Sequence, residues 1–130
     1  MLKITTFEKK FIDSAGRQRI FNGVNLCEKG WHPDEKSERQ YAFNFSEELI
    51  ADLSRKGFNL VRLGLTWDSI EPEPGKYNEE NLDKIQKAAD LCAKYGIYFY
   101  LDMHQDLYSG APLTAGDGAP AWACITDGAK

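Results

Sequence analysis

Cysteine is scarce and poorly spaced: Cys27, Cys92 and Cys124 form an odd set with no C-x-x-C pair. That excludes a disulfide framework and a zinc ribbon and leaves free thiols. Positive charge is in deficit, with 16 Lys and Arg against 20 Asp and Glu and a formal net charge of -4. No basic stripe exists to neutralise phosphates, so nucleic acid is excluded as a partner and a neutral or mildly polar ligand fits better. No apolar run is long enough to span a bilayer. Met1 to Lys10 alternates small apolar and polar residues without the apolar stretch of an export signal, so the residues themselves favour a cytoplasmic setting. Gly-rich phosphate loops are missing after every expected strand, which sets aside an open sheet that binds a nucleotide.

What is present suits one globular unit. With 130 residues, 42% of them hydrophobic and 12% aromatic, the chain can build a core for one domain or part of one. Phe11 to Phe21 places a turn at Gly16 between two β-prone runs, a hairpin signal. Ile20 to Leu26 then alternates with period two, which predicts a strand with Asn25 near its C-terminal end. Cys27 to Phe43 is polar, aromatic and irregular, a long excursion of the kind that often carries function.

Beyond it the spacing turns helical. Asn44 with Glu47 has the form of a capping pair, Leu49, Ile50 and Leu53 follow at helical spacing, and Gly57 is a natural stop, so a helix is predicted from Asn44 to Lys56. Phe58 to Leu65 reads as a strand. Asn78 to Tyr95 reads as a helix with Leu82, Ile85, Ala89 and Cys92 on one face, ended by Gly96, and Ile97 to Met103 as a third strand. This rhythm means parallel strands with right-handed crossovers, in an open α/β sheet or an eight-stranded barrel.

The parities within the strands sort the side chains. Val61, Leu63 and Leu65 share one face, and Arg62 points to the other. In the third strand Ile97, Phe99, Leu101 and Met103 form an apolar set, while Tyr98, Tyr100, Asp102 and His104 form a polar and aromatic one. In a barrel the apolar sets pack on the helices and the polar sets face the interior and its C-terminal mouth. Asn25, Trp67, Asp68, Asp102, His104, Gln105 and Asp106 all fall at or just past strand ends. Arg62 is either a structural ion-pair partner or a cation that keeps a neighbouring carboxylate ionised. Asp102 and His104 are equally compatible with a structural hydrogen-bonded pair. His32 and His104 lack the spacing of a dedicated metal site, so no metal is expected. Trp31, Trp67 and Trp122 serve either packing or stacking on sugar faces, with Trp67 the strongest candidate and Trp122 behind it.

Two stretches are specific enough to resemble a family. Val61-Arg62-Leu63-Gly64-Leu65-Thr66-Trp67, followed by Ile70-Glu71-Pro72-Glu73-Pro74-Gly75-Lys76-Tyr77, resembles the second βα unit of clan A glycosidases. Asp102-Met103-His104-Gln105-Asp106-Leu107-Tyr108-Ser109-Gly110, with Gly116-Asp117-Gly118-Ala119-Pro120-Ala121-Trp122-Ala123 behind it, looks like the strand-three loop of endoglycoceramidases and glycosylceramidases in glycoside hydrolase family 5. Phe21-Asn22-Gly23-Val24-Asn25 adds strand one.

The resemblance implies an α/β fold, the N-terminal portion of a TIM (β/α)8 barrel with about three βα units preceded by a β-hairpin. Residues 1–130 then form one partial catalytic barrel. It implies that Arg62 supports the nucleophile from beneath, and that His104 and Asp106 bind sugar hydroxyls. Lys29 is the position that would match a sugar-binding lysine, in a loop that departs from the family's usual sequence. Asn25, Trp67, Gln105 and Trp122 complete the expected substrate-binding set. Such enzymes retain configuration through two glutamates roughly 5 Å apart, and no metal or organic cofactor is implied. The acid/base glutamate ends strand four and the nucleophile ends strand seven in the family, and neither has a match here, so the chain alone is expected to be inactive. The expected substrate is a glycolipid or β-glucoside. A cellulase-like β-glycanase and a non-catalytic carbohydrate-binding or assembly module are the alternatives. Open sheet edges make self-association or pairing with a complementary barrel half the expected partnership. The family resemblance also allows secretion.

Overall fold

The structure, a computed structural model, describes residues 1–27, 45–109, 116–125 and 127. Three short antiparallel strands come first: β1 (Ile4–Phe7) pairs with β2 (Lys10–Asp13), and β2 with β3 (Gln18–Arg19). The hairpin expected at Gly16 is the β2–β3 connection. Asp13, buried at its base, organises the turn: one carboxylate oxygen accepts from the backbone of Ala15 (2.9 Å) and Arg17 (3.1 Å), the other from the guanidinium groups of Arg17 (3.1 Å) and Arg19 (2.8 Å). Burial alone would push this carboxyl up, but those donors outweigh it and hold the pKa at about 2. β1 has no clear sequence signal, because Thr5, Thr6 and Phe7 are all exposed and their alternation carries no burial pattern.

The second sheet is parallel. β4 (Gly23–Leu26), β5 (Leu60–Leu65) and β6 (Tyr98–Met103) lie in that order, with Asn25 opposite Arg62, Arg62 opposite Tyr100, and Gly64 opposite Asp102. Helix α1 (Glu47–Arg55) connects the first pair, and α2 (Trp67–Ile70) and α3 (Glu79–Lys94) connect the second. Val61, Leu63 and Leu65 are buried against the helices as their parity predicts: Val61 packs with Ile50, Leu53, Cys92 and Ile97, and the two leucines with Ile85. Burying each contributes about 1.5–3 kcal/mol. Cys92 is buried in this core, and burial pushes its thiol up to about 11, a core residue without reactivity.

The helix ends follow their caps. Asn78 caps α3 by accepting from Asn81 N at 3.1 Å, and Gly96 takes the positive φ that lets the chain turn into β6. For α1 the cap differs from the expected one: Ser46 Oγ accepts from Leu49 N at 3.1 Å, while Asn44 lies outside the described residues. Glu47 does not reach back as a capping partner, because its carboxylate accepts from Lys94 Nζ and Tyr95 Oη, both at 2.6 Å, and so fastens α1 to the end of α3.

Other differences have equally local causes. The first barrel strand begins at Gly23, not Ile20. Ile20 is 76% exposed, and the Asn59 side chain takes up Ile20 O (2.9 Å) and Asn22 N (2.8 Å) in place of a strand partner. In α3 the buried face is Asn81, Ile85, Ala88 and Cys92, so Leu82 turns outward and Ala88 replaces Ala89. Asn81 is buried because its amide donates to Ser69 O at 2.9 Å. Leu49 is also exposed. Ile97, just before β6, and Phe99 within it pack on the helices as expected, but Leu101 (50%) and Met103 (61%) do not, since no described α-helix follows β6 to cover them. Among the described residues no helix is long and apolar enough to cross a membrane.

Candidate functional site

On the face of the parallel sheet opposite the core, one polar line crosses all three strands. Arg62 in β5 donates through Nη1 to Asn25 Oδ1 of β4 (2.6 Å) and through Nη2 to Asp102 of β6. Parallel pairing with a two-residue side-chain period makes this contact, since Asn25 stands directly beside Arg62 and Asp102 one pleat further along the neighbouring strand. The Arg62 and Asp102 side chains are 35% and 20% exposed, a half-buried pair. Of the two readings open for Arg62, the structural ion pair is present, and Asp102 is the carboxylate beside it. Gly64 makes room on this face: a Cβ there would stand 3.0 Å from Cys27 Sγ and 3.7 Å from His104 Cβ.

The line continues past the end of β6. His104 N donates to Leu65 O at 2.6 Å, which fixes the backbone. Its ring lies between two carboxylates, with Nδ1 3.4 Å from Asp102 Oδ2 and Nε2 3.4 Å from Asp106 Oδ2. Asp106 is held by a return segment: its N–H donates to Asp117 O and Asp117 Oδ1, both at 3.0 Å, and Asp117 N donates to Asp106 O at 2.8 Å. Asp117 is buried and stands beside His104 and Asp106, with a ligand atom from each of the three within 4.8 Å of the others. Asp117 was not legible as a site residue. Its contact with Asp106 spans eleven positions without any periodic signal, and only the surrounding Gly-Asp-Gly hinted at a turn.

A second cluster gathers the indoles. Trp67 and Trp122 meet edge to face, with centroids 5.2 Å apart and planes at 80°. Glu71 joins them: Oε2 accepts from Trp67 Nε1 (2.8 Å), Oε1 from Gly75 N (2.8 Å), and the Glu71 carbonyl from Trp122 Nε1 (3.3 Å). The Trp67 N–H, then the Gly75 N–H, lower the Glu71 pKa and keep it ionised, which suits an anchor and not a proton donor. Asp68 accepts from the buried Thr66 hydroxyl, and its N–H donates to Gly118 O at 2.9 Å, tying α2 to the return segment. Gln105 is exposed and packs its Cβ against Gly118. Lys29, Trp31 and His32 lie outside the described residues. The structure thus brings Asn25, Arg62, Asp102, His104 and Asp106 into one line and Trp67 with Trp122 into another.

Parallel strands with outer helices and polar groups massed past the strand C-termini define the front of a (β/α) barrel, the N-terminal portion of a TIM (β/α)8 fold with about three βα units. The family model described as Cellulase (glycosyl hydrolase family 5) matches residues 12–127, and the chain belongs to that family. It is 39% identical over 121 residues to an endoglycoceramidase of Hydra vulgaris, covering 92% of this chain and 23% of that one. A solved endo-glycoceramidase II from Rhodococcus sp., described as a lactosyl-enzyme intermediate, superposes with a TM-score of 0.69 at 38% identity, covering 90% of this chain and 27% of that one. Sterylglucosidase 1 of Cryptococcus neoformans, solved with tris, gives 0.72 at 27% identity, with 87% and 18% covered. The chain spans roughly a quarter of the length of the curated relatives it matches.

Proposed function

We propose that residues 1–130 form the sugar-holding part of a retaining glycoside hydrolase that cleaves a β-glycosidic bond in a glycolipid or β-glucoside. The observation behind this reading is the continuous line Asn25–Arg62–Asp102–His104–Asp106 on the interior face of the sheet, set by strand register. A pyranose offers hydroxyls that both donate and accept, and an imidazole between carboxylates meets both needs. In this reading His104 and Asp106 hold sugar hydroxyls, Asn25 and Gln105 extend the polar rim, and Trp67 with Trp122 forms an apolar wall. Lys29 would add a further sugar contact. Arg62 holds Asp102 and supports the nucleophile's position from below. The names of the Hydra and Rhodococcus proteins support a glycolipid, and the latter's glycosyl-enzyme description supports retention.

The acid/base and nucleophile, in this reading, come from later strands, and these 130 residues alone do not hydrolyse. The carboxylates at hand are already engaged: both Glu71 oxygens accept backbone or indole N–H groups, Asp102 pairs with Arg62, and Asp68 accepts from Thr66. The exposed Leu101 and Met103 support cover by a further helix, and β6, whose described partner lies on one side only, supports pairing with further barrel strands, whether from a complementary half or a second copy. A cellulase-like β-glycanase is the second reading, favoured by the name of the matching family model.

The test is light scattering of the 130-residue chain together with binding and hydrolysis of a labelled glycosylceramide, a fluorogenic β-glucoside and cello-oligosaccharides. Binding without turnover, lost in His104→Ala and Asp106→Ala, is expected. Preference for cello-oligosaccharides would move the assignment to the β-glycanase, and turnover by the chain alone would overturn the division of labour.

A further inference from the structure

We propose that Asp117 is a positioning residue for the pair His104 and Asp106: its buried carboxylate, acting on the Asp106 N–H, fixes where the Asp106 carboxylate stands against the imidazole. This role rests on the reading of His104 and Asp106 as groups that hold sugar hydroxyls.

Backbone strain is the first sign. Leu107 and Tyr108, the two residues after Asp106, both take positive φ, 52° and 71°, a region that costs free energy for any residue with a Cβ. Such residues persist only where their surroundings over-determine them, and they cluster at functional sites. Here the return segment supplies the constraint on both sides of the turn. Before it, Asp106 and Asp117 exchange backbone hydrogen bonds of 3.0 and 2.8 Å. After it, Ala119 N donates to Tyr108 O at 2.8 Å and Ser109 Oγ donates to Ala119 O at 2.6 Å.

The return segment is shaped for this close approach. A Cβ on Gly116 would stand 2.1 Å from Asp106 O, and one on Gly118 would stand 2.5 Å from Gln105 Cβ, so a glycine on each side of Asp117 lets the segment lie against the loop. Gly118 O accepts from Asp68 N at 2.9 Å, which fastens the segment to α2 and gives the loop a fixed support. The Asp117 side chain adds to what the backbone does. Its Oδ1 is a second acceptor, at 3.0 Å, for the same Asp106 N–H, and with Asp117 only 6% exposed little water competes for that bond. Asp106 Oδ2 stands 3.4 Å from His104 Nε2 on a side chain that is 58% exposed, so burial contributes little to holding it there and the placement of its backbone matters more. Misplacing a substrate-holding group by about an ångström costs on the order of a hundredfold.

Amide hydrogen exchange by NMR and titration with methyl β-glucoside, both on the 130-residue chain, test this role in Asp117→Ala and Asp117→Asn. Asn keeps the size and an acceptor oxygen but not the charge. Gly118→Ala is the third variant, which leaves the Asp117 carboxylate in the chain and crowds the segment away from the loop. Asp117→Ala and Gly118→Ala are expected to speed exchange at Asp106 and to weaken sugar binding, each on the order of tenfold or more. Asp117→Asn is expected to stay within about threefold of the native chain in both. Circular dichroism confirms that each variant is folded, and Gly118→Ala carries the comparison if Asp117→Ala is not. Native exchange at Asp106 without the Asp117 carboxylate, faster exchange with sugar binding unchanged, or a loss in Asp117→Asn equal to that in Asp117→Ala would overturn the role. A native chain that binds no glucoside sinks the sugar reading, while exchange at Asp106 still decides whether Asp117 holds that residue.

Discussion

Arg62 and Asp102 are ion-paired across β5 and β6, and the same guanidinium holds Asn25 of β4, so one side chain stitches all three parallel strands on the face away from the core. Because the pair is half-buried, solvent screens part of its strength. Arg62→Ala should cost about 1–2 kcal/mol, less than the 3–5 of a fully buried pair. Urea unfolding in a double-mutant cycle with Asp102→Ala measures the coupling. Arg62→Lys should recover only part of it, since a single ammonium cannot fork between Asn25 and Asp102. A loss beyond that of a fully buried pair, or no loss at all, would contradict the geometry.

The Asp13 turn gives the first sheet a pH dependence of known sign. Its folded pKa of about 2 lies below the ordinary 3.8, so the folded state binds the proton less tightly than the unfolded one. The stabilisation is complete above the ordinary value and is lost as pH falls through the folded one. Thermal unfolding followed from pH 5 to pH 2 should therefore show a drop in the native chain that is shallower in Asp13→Asn. Parallel curves for the two proteins would mean that Arg17 and Arg19 do not hold the carboxylate in solution.

Burial separates two leucine-sized positions that alternate identically in sequence. Leu63 is 0% exposed and Met103 is 61% exposed. Leu63→Ala should destabilise by about 2–5 kcal/mol, read as a lower urea midpoint, while Met103→Ala should stay within about 0.5 kcal/mol. A large loss at Met103 would show that β6 is covered in solution by a second copy or another segment.

That contrast also shows what the sequence can reveal. Period-two alternation in β5 and the helical spacing of Ile50, Leu53, Ile85 and Cys92 identified the core, because those side chains bury against elements close in sequence. The motif resemblance and strand-end rule located Asn25, Arg62, His104 and Asp106, and parallel register brought them together. Asp117, the Ser46 cap and the Glu47 bridge to Lys94 and Tyr95 were missed for a common reason. Each depends on which polar partner arrives in space, and hydrophobic period says nothing about that. The outward turn of Leu101 and Met103 was missed because alternation marks a face but not whether anything covers it.

Glu71 anchors the indole pair through three acceptors of its own, two carboxylate oxygens and a carbonyl, and this sets up a spectroscopic prediction. The Gln side chain has one acceptor oxygen where Glu has two, so Glu71→Gln must turn an NH₂ toward either the Trp67 N–H or the Gly75 N–H. Trp67 then loses its fixed orientation, and Trp122 loses the edge-to-face partner that its own N–H keeps within reach. The expected outcome is a red-shifted, more readily quenched tryptophan emission with little change in far-UV circular dichroism. Glu71→Asp should resemble Gln, since the shorter arm cannot span both donors. Lowering the pH below the depressed pKa of Glu71 should reproduce the same shift in the native chain, because protonation converts one acceptor into a donor. Emission indifferent to both the substitution and the acid would show that packing alone orients the indoles and that Glu71 is a bystander.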